Sequence, residues 1–175
     1  MLWAVKQWSG GRRRKCWSCY DETSPVPAEP LAIRTPKSRV GDGAMLKLSV
    51  GMIGGKRVVL MDSISSLEAS DTGQIAVSAS RGSRSAGERA AQHPPAVCFF
   101  NDGGTGKDGL GVEALGFLDS EGIAAAAYSN ESARSGDARE AWEKGMISRV
   151  NASAQRLGFR AGEQVATAVR RVFGL

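Results

Sequence analysis

Apolar and polar residues alternate from Leu46 to Met52, with Leu46, Leu48, Val50 and Met52 on one side and Lys47, Ser49 and Gly51 on the other. That period predicts a half-buried strand. Gly54-Gly55 supplies two positive-φ positions for a tight hairpin, and Val58 to Met61 resume the apolar run as its second strand. Gln74 to Ser80 reads as a third strand. A helix follows from about Ser83 or Ser85 to Gln92, where Ala86, Ala90 and Ala91 suit close packing and His93-Pro94-Pro95 ends it. Ala96 to Asn101 is a nearly continuous apolar strand of the kind buried on both faces. Val112, Ala114, Leu115 and Leu118 mark one face of a short helix closed by Gly122, and Ile123 to Tyr128 is the next strand. Strand, helix, strand at this spacing predicts a βαβ unit with parallel strands and a right-handed crossover.

Further on, Ser135 and Asp137 read as caps of a helix starting near Ala138. Ile147, Val150, Ala154 and Leu157 follow a helical spacing with Gly158 as the stop, and Val165, Val169, Val172 and Phe173 give a second apolar helical face. The expected fold is α/β: a single three-layer domain over residues 45–175. It has a mostly parallel sheet of about five strands, an N-terminal antiparallel hairpin and C-terminal helices. No internal repeat is visible.

Composition narrows this further. Of 175 residues, 42% are hydrophobic and 23% charged, which suits a globular core. The net charge of +5 is local. Residues 1–40 carry Lys6, Arg12, Arg13, Arg14, Lys15, Arg34, Lys37 and Arg39 against Asp21, Glu22 and Glu29, whereas the remaining residues hold equal numbers of bases and acids. A basic face for nucleic acid is therefore expected only from the first 40 residues, where Trp3, Trp8 and Trp17 interleave with the cations. This stretch has four of the six prolines and no persistent period, so residues 1–44 read as a disordered or non-native basic extension ahead of Met45. Arg13-Arg14 is not followed by the apolar region an export signal needs. No apolar run approaches the roughly 20 residues of a membrane span. A soluble protein of the reducing cytoplasm is expected, with no membrane partner. Cys16 and Cys19 form one C-x-x-C, short of the four ligands of a structural zinc site.

Candidate chemistry gathers after the strands. In parallel α/β sheets ligands bind beyond the carboxyl ends of strands. Here those ends carry Asp62 and Ser63; Ser80, Arg81 and Ser83; Asn101 to Asp108; and Ser129 to Asp137. The richest is Asn101-Asp-Gly-Gly-Thr-Gly-Lys-Asp-Gly-Leu-Gly111, between a strand and a helix start. Glycines Gly103, Gly104 and Gly106 allow backbone N–H groups to turn toward an anion, and Lys107 adds a cation. A Walker A loop is excluded, since Asn101 and Asp108 stand where Gly and Ser or Thr are required. Gly104-x-Gly106-x-x-Gly109 does satisfy the dinucleotide pattern, with Glu131 suitably downstream, although Asp102 and Asp108 put negative charge where a pyrophosphate sits. In Ser129 to Asp137, Arg134 can hold a planar anion through two hydrogen bonds and Ser132 can donate to it. His93, the only histidine, falls on the opposite edge and leaves a Ser–His–Asp triad without a base. Asp62, Asp102 and Asp108 also admit a shared Mg²⁺, with hydrogen bonds to loop N–H groups as the commoner use of such carboxylates.

Phe100 to Gly111, Gly122-Ile-Ala-Ala-Ala, Ser132-Ala-Arg-Ser-Gly-Asp137 and Ile147-Ser-Arg-Val-Asn151 together resemble a group of small bacterial proteins with no assigned activity. The likeness covers roughly residues 57–160. It implies the segmentation and no reaction.

The functional expectation is a small-molecule anion site, for a carboxylate or phosphate, at the C-terminal strand edge. As an enzyme, Lys107 would be electrophile or anchor and Asp102 or Asp108 general acid/base. Asn101, Gly103, Gly104, Gly106, Ser132 and Arg134 would then hold the ligand. The alternatives are a non-catalytic ligand-binding or assembly domain whose glycine loop is structural, and dinucleotide binding. The sequence names no cofactor and no metal ligand set, and leaves a homo-oligomer open.

Overall fold

Gly54 and Gly55, at φ of +56° and +75°, turn the chain between β1 (Lys47–Ile53) and β2 (Lys56–Met61). The computed structural model describes residues 45–104 and 112–174. Residues 1–44, with Cys16 and Cys19, and the loop positions Gly106, Lys107, Asp108 and Gly109 lie outside them.

Four more strands follow: β3 (Ile75–Arg81), β4 (Val97–Asn101), β5 (Ala125–Tyr128) and β6 (Ile147–Val150). The helices are α1 (Arg84–Gln92), α2 (Glu113–Ser120), α3 (Ala138–Lys144), α4 (Ala152–Leu157) and α5 (Val165–Phe173). The six strands lie side by side in chain order, β2 to β5 parallel, with antiparallel β1 and β6 at the two edges. An α/β domain with a mostly parallel sheet, an N-terminal hairpin and C-terminal helices is thus observed.

Period-2 alternation builds two cores from one sheet. Val59, Met61, Ala76, Cys98, Phe100 and Ala127 point to the face covered by α1 and α2. Val58, Leu60, Val77, Phe99, Ala126 and Tyr128 point to the other, against Trp142 of α3, Ala154 of α4, Phe159 and Val169 of α5. The crossovers β3–α1–β4 and β4–α2–β5 step the same way across the sheet, so right-handedness puts both helices on one face. The order of the described strands contains no reversal, the point at which doubly wound sheets open a crevice.

Two expectations change. Ile147 to Leu157 is not one helix: Ile147–Val150 is the antiparallel edge strand, and α4 starts only at Ala152. Asn151 divides them by capping α4, its side chain accepting the N–H of Ala154 at 2.8 Å. A strand followed at once by a capped helix satisfied the helical spacing by coincidence. In β1 the alternation slips. A bulge between Ser49 and Gly51, with Gly51 at φ +148°, brings Ile53 onto the core beside Val50 and leaves Met52 66% exposed.

Candidate functional site

The parallel strands end on one edge, and the segment after β5 runs across it. Asn130 N–H donates to Asp102 Oδ1 at 2.9 Å, at the end of β4. Asn101 Nδ2 donates to the carbonyl of Ala133 at 3.1 Å, and Gly136 N–H to that of Ala79 in β3 at 3.1 Å. Ala138 N–H reaches Asp62 Oδ1, at the end of β2, at 3.2 Å. Residues 129–138 therefore form an arch over the ends of β4, β3 and β2 before the chain enters α3. Asp137 caps that helix through Glu140 N–H.

Asn101 and Asp102 are the struts of this edge. Asn101 is fully buried, and its Oδ1 accepts Gly103 N–H at 2.8 Å. Asp102 accepts three hydrogen bonds: Gly104 N–H and Asn130 N–H on Oδ1, and Ser148 Oγ–H on Oδ2, all at 2.9 Å. Gly103 and Gly104 do take positive φ, +72° and +80°. Their N–H groups, however, satisfy the side chains two residues earlier, the Asx-turn use of such groups. Asp62 is similarly engaged, by Leu46 N–H at 3.0 Å as well as Ala138 N–H. Among the described residues no three His, Cys, Asp or Glu side chains cluster as a metal site would require.

The remaining site residues fall in two places. The Ser132 hydroxyl donates to the Ser129 carbonyl at 2.7 Å and accepts Met146 N–H at 2.8 Å, tying the arch to the start of β6. Arg134 lines a cleft along α3 with Asp137, Arg139, Glu140, Glu143 and Lys144, none of them from the Asn101–Gly104 segment. Its N–H donates to Glu140 at 3.1 Å. That bond, followed by the one from Lys144, holds the Glu140 carboxyl below the usual range.

One cation does stand at the described part of the glycine loop. Arg81 ends β3 opposite Asn101, and its side chain runs along Gly103, where an added Cβ would lie 3.3 Å from Cδ and 3.6 Å from Nε. Arg81 is exposed, and among the described residues it has no acidic partner. It belongs to the strand-end cluster of the sequence, but nothing in its spacing sets it apart. The sheet register does, because β3 lies beside β4.

Two other reactive groups are silent. Burial pushes the Cys98 thiol and the Tyr128 hydroxyl well above their ordinary pKa values, and Tyr128 donates to the Ser78 carbonyl at 3.1 Å. His93 caps α1 at the end of the sheet where β4 begins, away from the arch. Comparison with known protein families, with curated proteins and with solved structures finds no match. No helix of the described residues is long and apolar enough to cross a membrane.

Proposed function

We propose that the protein binds a small carboxylate or phosphate at the edge where β3 and β4 end. Arg81 and Lys107 supply the positive charge, and Gly103, Gly104 and Gly106 let the ligand come close to the backbone. The observation that carries this is Arg81, an exposed guanidinium laid over Gly103 with no carboxylate of the described residues to neutralise it. A planar cation in that state suits bidentate recognition of an anion.

The form proposed is a binding domain rather than an enzyme. Asp102 spends its oxygens on Gly104, Asn130 and Ser148, which suits a structural tie better than proton transfer. In the catalytic alternative, Lys107 and Asp108 carry the chemistry. In the dinucleotide alternative, Gly104-x-Gly106-x-x-Gly109 takes the pyrophosphate. The setting proposed is the bacterial cytoplasm, with residues 1–44 as the only basic segment offered to nucleic acid.

Thermal-shift titration of the full chain with inorganic phosphate and succinate tests this. A saturable rise in melting temperature with at least one of them is expected, lost in Arg81→Ala and in Lys107→Ala. Absence of any saturable rise, or an unchanged response in Arg81→Ala, removes the proposal and favours an assembly domain with a structural glycine loop.

A further inference from the structure

The cleft along α3 has a volume of about 450 Å³, within the range of small-ligand pockets. Six charged side chains line it: Arg134, Arg139, Lys144, Asp137, Glu140 and Glu143. Some of these charges already have partners. Glu140 takes the N–H of Arg134 and, at 3.3 Å, Lys144 Nζ, while Asp137 takes the N–H of Glu140 at 2.9 Å. Among the described residues neither guanidinium lies within ion-pair distance of an acid, and Glu143 has no cation.

Arg139 adds a second observation. Its Nε is closed off from solvent and has no acceptor among the described residues. A cation desolvated on one side without compensation is costly, and an anion at the open end of its guanidinium offsets that cost. Two arginine forks in one cleft suit a carboxylate. The formal charges of the six side chains cancel, so a ligand of one sign gains little from the cleft as a whole. A ligand carrying both signs matches both unpartnered ends.

We propose that this cleft binds a small zwitterion bearing a carboxylate and a primary ammonium, with Arg134 and Arg139 on the carboxylate and Glu143 on the ammonium. It shares no residue with the Arg81 edge, so the two sites stand or fall separately.

Calorimetric titration of the full chain with diglycine, acetate and ethylammonium tests the proposal. Diglycine is expected to bind at least about tenfold more tightly than either single-sign probe, a difference of about 1.4 kcal/mol. Arg134→Gln should weaken diglycine and acetate alike, whereas Glu143→Gln should weaken diglycine and leave acetate unchanged. Both residues are exposed, and an unchanged melting temperature verifies that each variant is folded. The acetate comparison is made with Arg81→Ala in place, which removes the strand-edge site and should leave diglycine binding intact. Diglycine that binds no better than acetate, gives no saturable heat, or is indifferent to both cleft variants overturns the proposal.

Discussion

Short polar side chains hold this molecule together where the backbone leaves the sheet. Asn151 is the fullest case: its Oδ1 accepts Ala125 N–H at 3.0 Å and Ala154 N–H, and its Nδ2 donates to the carbonyls of Ile123 at 2.8 Å and Leu115 at 3.3 Å. It is 7% exposed, so water does not take over those partners. Asn151→Ala strands several buried groups and is expected to cost about 3 kcal/mol, read from the midpoint of urea unfolding. The hairpin offers a paired prediction. Gly55 faces open space, so Gly55→Ala should cost about 1 kcal/mol for its positive φ alone. An added Cβ on Gly54 collides with the Phe173 carbonyl, so Gly54→Ala should cost several times more in the same measurement. Both glycines were legible as a hairpin in the sequence, but the collision was not, because α5 arrives from more than a hundred residues away. The same limit hid the partners of Asn101 and Asp102. Their residue types suit ligand contacts and Asx turns equally, and Ala133, Asn130 and Ser148 reach them from segments about thirty to forty-six residues further along the chain.

At the scale of elements, local pattern served wherever one period ran long enough. The apolar runs of β2 and β4 and the amphipathic face of α5 each stand as expected. It failed between Ile147 and Leu157, where four residues of strand and six of helix are each too short to show their own period. Asn151 followed by Ala152 is the signal that separates them, an N-cap in mid-pattern. The junction of α2 with α4 leads to a pH prediction. Asp119 Oδ1 accepts the N–H of Ser153 at 2.8 Å and its hydroxyl at 2.9 Å, and these bonds hold the carboxyl below its ordinary value. A depressed folded-state pKa contributes stability that is complete above the unfolded value, near 4, and is lost as pH falls through the folded one. Asp119→Asn should therefore lower stability at pH 7 and flatten its decline below about pH 4, as followed by thermal unfolding across pH.

Both cores run through the described residues, from Val50 in β1 to Phe173 in α5. A chain starting at Met45 is accordingly expected to melt within a few degrees of the full chain, and a drop beyond about 5 °C by calorimetry would show that the segment before it packs on the domain. The unbroken strand order has a consequence for the making of the protein. Each strand pairs with the one just before it in the chain, so no pairing requires a loop longer than the crossover beside it, and closure entropy stays near its minimum for a parallel sheet. On a ribosome the sheet can grow from one side to the other in the order of synthesis, each new strand meeting an edge already waiting for it. Of the described strands β6 joins last, antiparallel to β5 at the edge of the sheet. A chain lacking β6 would carry the exposed edge of β5, a transient site for a chaperone or for wrong pairing that β6 covers.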